Sequence, residues 1–226
     1  MIGYEDKAKI AGSSRSQAES SHSYHRPGYH FAKRVLDITI SGVSLILLSP
    51  VFLVVAIGVG ATSGWPTTFR QKRIGHNGDL FEIIKFRSMV KNAEEILKSR
   101  PDLLEEYKKN FKIENDPRIS KFGAFLRKSS LDELPQLLNV LKGDMTLVGP
   151  RPIVPPEIEK YGDSADMYMA MKPGCTGLWQ CSGRSDTTYD ERVALDREYF
   201  EKASIGFDIQ ILCKTVSAIL FGRGAR

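Results

Sequence analysis

The chain has 226 residues, a net charge of +5 at neutral pH, 42% apolar and 26% charged residues, with a mean hydropathy of −0.24 and a pI near 9.0. These values exclude a polytopic transporter and a wholly disordered chain, and leave room for one domain, or a domain and a half, with a sizeable core. The three cysteines, Cys175, Cys181 and Cys213, form no CxxC pair, which argues against a disulfide framework or a zinc site, and the basic excess points to a polyanionic partner: nucleic acid, a membrane surface or a phosphorylated substrate.

Residues 1–30 read as a disordered tail, serine-rich between Ser13 and Ser23 and without an apolar run, so too little surface is available for burial to offset the entropy of ordering. The stretch has neither the hydrophobic region nor the cleavage site of a secretory signal. Residues 38–62 carry no charge and are rich in Ile, Leu and Val. About 20 such residues cross a bilayer as a helix. We assign 35–62 as a membrane helix, with a buried core helix as the bland alternative. Basic residues lie on both sides, Arg26, Lys33 and Arg34 before and Arg70, Lys72, Arg73, Lys85 and Arg87 after. A straight span would place one cluster outside, against the tendency of positive charge to stay cytoplasmic. Ser49-Pro50 supplies a break near the middle, because proline removes a backbone donor and clashes with the preceding turn. The expectation is a kinked helix that enters the cytoplasmic leaflet and returns; one tilted span is the alternative.

Residues 63–226 read as a soluble α/β part, mostly helical with a small β-hairpin. Residues 67–74 and 80–86 have strand character and are joined through Gly75-His76-Asn77-Gly78, a hairpin signal. Helices are expected near 93–98, from Pro101 at a first-turn position, and over Leu134, Leu137, Leu138 and Leu141 with Gly143 as the stop. The last helix, about 209–221, aligns Ile209, Leu212, Val216, Ile219 and Leu220 in one stripe that ends on Arg223 and Arg226. Such a stripe either packs into a core or lies on a membrane surface.

The segment Ser130-Leu131-Asp132-Glu133-Leu134-Pro135-Gln136 carries the chemistry. Ser130 and Glu133 fit a capping box, the structural explanation for the glutamate. Starting the helix at Asp132 instead places Pro135 in the first turn, where no donor is needed. In both registers two carboxylates sit at a helix N-terminus, which favours their ionised forms and also binds phosphate. An ionised carboxylate beside a phosphate site is suited to attack on phosphorus, and an adjacent glutamate to holding a divalent cation. Lys85, Arg87, Arg127 and Arg151, the last fixed between Pro150 and Pro152, are the candidate phosphate-binding residues. Each could equally be a surface charge. No nucleic-acid module is recognisable, and His22, His25, His30 and His76 suggest no catalytic triad.

These motifs resemble the bacterial sugar transferase family, the small monotopic polyprenyl-phosphate phosphoglycosyl transferases. The resemblance covers about residues 31–226. It runs through Lys33-Arg34, Ser49-Pro50, Phe69-Arg70-Gln71, Arg73-Ile74-Gly75 and Lys85-Phe86-Arg87-Ser88-Met89. It continues through Asp116-Pro117-Arg118, the 130–136 segment, Val148-Gly149-Pro150-Arg151-Pro152, Lys172-Pro173-Gly174, Gly177-Leu178-Trp179-Gln180 and Ser182-Gly183-Arg184. It implies a re-entrant membrane helix broken at Ser49-Pro50, and a cytoplasmic catalytic part at the bacterial inner membrane. It also implies transfer of a sugar 1-phosphate from a UDP-sugar to undecaprenyl or another polyprenyl phosphate with Mg²⁺; the sequence leaves the hexose open, with galactose or glucose favoured and N-acetylated sugars as the alternative. By resemblance Asp132 attacks the β-phosphate and UMP leaves; Glu133, with Asp132, binds the metal. Lys85, Arg87, Arg127 and Arg151 match basic positions near the phosphates, and Gln136, Arg184 and Asp190 match nucleotide or sugar contacts. The lipid bilayer and downstream glycosyltransferases are the implied partners, in exopolysaccharide or related surface-glycan synthesis. Two departures stand out: Glu201-Lys202-Ala203-Ser204 lacks a tryptophan common in relatives, and Cys175 and Cys181 replace aliphatic residues. The rival readings are an inactive membrane scaffold for glycan assembly and a glycosidase using the two carboxylates. Adjacent residues at a helix start diverge by roughly 100°, which suits a glycosidase poorly.

Overall fold

A computed structural model describes residues 24, 26–110, 113, 115–182 and 187–220. The chain divides into two compact units. One comprises the residues up to Leu47, Gln71–Ile83 and Gln136 onward; the other comprises Leu48–Arg70 and Ile84–Pro135.

The first unit begins with helix α1 (Pro27–Leu47), whose amphipathicity is inverted. The side chains it buries are Tyr29, Lys33, Asp37 and Ser41, one turn apart along a single stripe, while Phe31, Val35, Val43, Ile46 and Leu47 are exposed. The buried polar stripe is satisfied by partners distant in sequence. Lys33 Nζ lies 2.7 Å from Asp208 Oδ2, and Tyr29 and Tyr199 each donate a hydroxyl to Asp208. Asp37 accepts from the Thr146 hydroxyl and the Leu147 amide, both at 2.8 Å. Arg34 donates to the carbonyls of Val140 and Leu141 at the end of another helix. Tyr24 is also buried, and its hydroxyl accepts the Lys172 amide. The packed chain therefore starts before residue 31, and the expected tail boundary at residue 30 is corrected. Two aromatic rings enter the core there, which composition averaged over a window conceals. Residues 1–23, including the serine-rich segment, lie outside the described residues.

The rest of this unit holds α6 (Gln136–Lys142), α7 (Ala165–Ala170), α8 (Leu178–Ser182), α9 (Tyr189–Lys202) and α10 (Ile205–Leu220). The intervening helices α2 to α5 belong to the other unit. A parallel pair, β3 (Thr146–Val148) with β4 (Gly174–Thr176), pairs Thr146 with Gly174 and Val148 with Thr176. This small sheet had no clear signal in the sequence, because three-residue strands show no periodicity. Gly143, at φ +96°, ends α6 as expected. Helix α10 turns Asp208 and Ile211 inward and leaves Ile209 and Val216 exposed while Leu212 packs against the core, so the described part of the apolar stripe is divided between core and surface. The side chains of 219 and 220, and residues 221–226, lie outside the described residues.

The second unit holds α2 (Ser49–Ser63), α3 (Ala93–Ser99), α4 (Pro101–Asn110) and α5 (Lys121–Lys128). Its core is Val55, Val59, Phe86 and Leu126, with Phe52, Phe122, Leu131 and Leu134 packed against it. Gly58 and Gly123 are required by close approach: a Cβ at Gly58 would meet the Phe122 ring at 2.6 Å, and one at Gly123 would fall on the Ser88 carbonyl. The strands β1 (Thr68–Ile74) and β2 (Leu80–Phe86) form the expected hairpin. Its turn uses Asn77 at φ 57° and Gly78 at φ 80°, the left-handed conformations that this residue pair adopts readily.

The helix break falls at Leu48, so Pro50 lies in the first turn of α2, where its missing donor costs nothing. Among the described residues no single helix is long and apolar enough to cross a membrane. The consecutive pair Pro27–Leu47 and Ser49–Ser63, separated by this break, passes the length and composition test together.

Candidate active site

The site is built by the second unit from β2, α5 and the turn that follows α5. Ser120 caps α5, accepting the Gly123 amide at 2.9 Å, and its own amide donates to the Ser88 carbonyl. Ser88, just beyond β2, is thereby tied to the start of α5, and its hydroxyl accepts Arg127 Nε at 2.9 Å from that helix's last turn. After α5, Ser130 adopts a left-handed conformation at φ 58°, ψ 16°, and residues 131–133 form one 3₁₀ turn. Non-glycine residues in this region cost on the order of 1–3 kcal/mol and recur at functional sites.

Both expected helix registers are therefore corrected. Ser130 makes no side-chain cap, and the α-helix starts at Gln136, after Pro135. Asp132 and Glu133 lie in the turn ahead of α6, so the dipole of a long helix does not set their charge.

The two carboxylates have opposite environments. Asp132 is 7% exposed. Burial, assisted by the Glu133 charge, pushes its carboxyl from 3.8 to about 6, against the pull of Lys85 and Arg127. Desolvation outweighs both cations, so the shift runs opposite to the one a helix N-terminus would impose. Glu133 reaches solvent, and its Oε1 lies 2.6 Å from Lys85 Nζ, which projects from β2. Burial holds the Arg127 guanidinium below its usual value, opposed by the attraction of Asp132 and Asp116. Arg87 Nη1 is buried with no hydrogen-bond partner among the described residues.

The structure thus brings Lys85 and Arg127 to the Asp132–Glu133 pair and ties Arg127 to Ser88. Ser88 and the buried, bidentate Asp116–Arg118 pair were legible only as members of motifs. Their signal was the fixed spacing of Lys85-Phe86-Arg87-Ser88 and Asp116-Pro117-Arg118.

The remaining expected residues belong to the other unit. Gln136 opens α6 and is buried. Arg151 is exposed, with Cζ 5.7 Å from the Trp179 ring centroid. Asp190, in the first turn of α9, lines an open cleft of about 550 Å³ with Lys160, Arg197 and Glu201. Arg184 lies outside the described residues.

The family model for bacterial sugar transferases matches residues 28–222. The chain belongs to the bacterial sugar transferase family. It is 44% identical over 204 residues to the exopolysaccharide production protein ExoY of Rhizobium meliloti, covering 88% of this chain and 90% of that one. It is 49% identical over 199 residues to the undecaprenyl-phosphate galactose phosphotransferase of Salmonella typhimurium, covering 86% of this chain and 42% of that one. It is 39% identical over 194 residues to the UDP-glucose:undecaprenyl-phosphate glucose-1-phosphate transferase of Escherichia coli, covering 81% of this chain and 39% of that one. This sugar transferase therefore matches nearly all of ExoY but spans less than half the length of the other two. It is an enzyme of the phosphoglycosyl transferase class.

Proposed function

We propose that the chain transfers a sugar 1-phosphate, galactose or glucose 1-phosphate, from a UDP-sugar to undecaprenyl or another polyprenyl phosphate, releasing UMP through a covalent aspartyl intermediate. The observation that carries this reading is the buried Asp132 carboxyl, raised to about 6 and attracted by Lys85 and Arg127. At pH 7 about nine-tenths of such a group is ionised while it remains poorly solvated, the condition of a reactive nucleophile. An Asp132 oxygen attacks the β-phosphorus, the bond from that phosphorus to the UMP oxygen breaks, and UMP carries away the electron pair. An oxygen of polyprenyl phosphate then attacks the same phosphorus and expels the Asp132 carboxylate, so the enzyme returns unchanged. Lys85 and Arg127 stabilise charge on the transferring phosphoryl oxygens, and Arg87 has a buried N–H for the same use.

The residues fit Mg²⁺. Among the described residues no three His, Cys, Asp or Glu side chains gather into a cation cage. Adjacent carboxylates with substrate phosphates completing the shell are a common Mg²⁺ arrangement. Glu133 and Asp132 would hold the ion, which when bound neutralises diphosphate charge. The inverted amphipathicity of α1 supports lipid contact, because exposed Phe31 and Ile46 are costly in water and not in a bilayer. It suits the re-entrant placement at the cytoplasmic face of the inner membrane. The names of the relatives support assignment to exopolysaccharide or other surface-glycan initiation.

The test is UMP release by the detergent-purified protein with Mg²⁺, polyprenyl phosphate and a panel of UDP-sugars. Release with one donor, abolished together with any phosphosugar adduct in Asp132→Asn, is the expected result. Silence across the panel from folded protein would leave a scaffold in glycan assembly as the function.

A further inference from the structure

Arg127 is held at one nitrogen and left open at two. Its Nε donates to Ser88 Oγ at 2.9 Å, and neither Nη1 nor Nη2 bonds or pairs with any described residue. An arginine grips phosphate through two N–H groups, either along its side or across its tip. With Nε occupied, only the tip remains. Ser88 is itself held. It is 7% exposed, and its carbonyl accepts the Ser120 amide at 3.1 Å. The Val90 amide donates to the Arg118 carbonyl at 2.9 Å, and Met89 and Ile119 form an antiparallel bridge between these two bonds. Residues 88–90 are thus pinned to 118–120, which lead through the Ser120 cap into α5, the helix that carries Arg127 in its last turn.

The same stretch deals with a competing carboxylate. Arg127 is attracted by Asp132 and also by Asp116, which is 7% exposed. A buried carboxylate left unpaired near a guanidinium lowers its energy by closing on it. Here Arg118 has both oxygens: its Nε donates to Oδ1 at 2.8 Å, its Nη2 to Oδ2 at 2.7 Å, and its amide to Oδ1 at 3.0 Å. Against the cost of burial, these bonds hold Asp116 below the usual carboxylate range. All of these residues belong to the second unit, as Asp132 does.

We propose that Ser88 and Arg118 are positioning residues for Arg127: Ser88 fixes Nε so that Nη1 and Nη2 alone are presented to the transferring phosphoryl group, and Arg118 occupies Asp116 so that it does not capture them. This rests on the reading of Arg127 as a stabiliser of phosphoryl charge. Both residues act through Arg127, so removing either matters only while Arg127 is present.

The kcat and donor KM for UMP release are measured for the wild type, Ser88→Ala, Ser88→Thr, Arg127→Met and Arg118→Met. The doubles Ser88→Ala/Arg127→Met and Arg118→Met/Asp116→Asn complete the set. Ser88→Ala should lower kcat about tenfold with KM within about twofold, the contribution of one hydrogen bond to a charged group felt in the transition state. Ser88→Thr keeps the oxygen and should restore most of it. Ser88→Ala/Arg127→Met should be no worse than Arg127→Met, whereas a general loss of folded enzyme would multiply the two. Arg118→Met should also lose about tenfold, and adding Asp116→Asn should recover most of that. An unchanged kcat in Ser88→Ala, losses that multiply with Arg127→Met, or a deficit in Arg118→Met that Asp116→Asn leaves in place overturns the proposal. If Arg118→Met fails to fold, the Ser88 variants decide. A second readout needs no turnover. With isotope-labelled arginine, the Nε–H signal that Arg127→Met removes should be protected from hydrogen exchange, and Ser88→Ala should abolish the protection. A silent enzyme with that signal protected would sink the assigned reaction and leave the placement of Arg127 by Ser88 standing; an unprotected signal in the folded wild type would sink the proposal.

Discussion

Replacing Asp132 by asparagine should make the protein more stable while it stops turnover. Burial raises this carboxyl from 3.8 to about 6, with Glu133 adding to the rise. A carboxyl that is harder to ionise in the folded chain than in the unfolded one opposes folding once both are ionised. Below about pH 4 both states hold the proton and the effect vanishes. Between about 4 and 6 the unfolded chain ionises first and stability falls, and above about 6 the cost levels at about 3 kcal/mol. Asparagine of the same shape removes the charge, so the variant should gain up to that amount at pH 7.5, roughly 6–12 °C in Tm for a chain of this size. The assay is thermal and urea denaturation of both proteins in one detergent between pH 4 and 8. The gain should shrink steadily as pH falls below 6. A pH-independent difference, or a less stable variant at pH 7.5, would refute the claim that desolvation rather than ion pairing dominates at Asp132.

The same charges should set the acid limb of kcat/KM, which falls below about pH 6 as Asp132 takes its proton. In Glu133→Gln the residual activity should have its limb at lower pH, because a repelling charge is gone; in Lys85→Met the limb should move higher, because an attracting one is gone. Movement in the same direction in both would contradict the assigned electrostatics. Lys33→Met leaves Asp208 buried without its cation, which lay 2.7 Å away, and should cost about 3–5 kcal/mol in urea denaturation. Lys33→Met/Asp208→Asn should recover most of that loss; failure to do so would mean that Lys33 acts otherwise than through Asp208.

Local chemistry was legible wherever neighbours in sequence are neighbours in space. The hairpin was readable because Asn77-Gly78 favours its turn regardless of context, and Gly143 stops α6 for the same reason. Pairing of Ser130 with Glu133 failed as a capping box because Ser130 turns left-handed and Pro135 delays the helix, so the serine hydroxyl never meets an amide. Two of the basic residues before the apolar run have partners that the sequence conceals: Lys33 pairs with Asp208 and Arg34 donates to the carbonyls of Val140 and Leu141, more than a hundred residues away. Hydropathy counts such side chains as charges and has no means of seeing their partners.

The family, the adjacent carboxylates Asp132 and Glu133, the neighbouring basic residues and the break ahead of Pro50 are all readable from the chain, because each is written in short ordered motifs. Only the tertiary structure decided that Asp132 is the buried, reluctant acid while Glu133 is paired and solvated. It also decided that α1 turns its polar stripe inward, and that Arg127 is held by Ser88 while Arg118 occupies Asp116. Ionisation and preorganisation depend on desolvation and on contacts between segments far apart in the chain, and those exist only once the chain has folded.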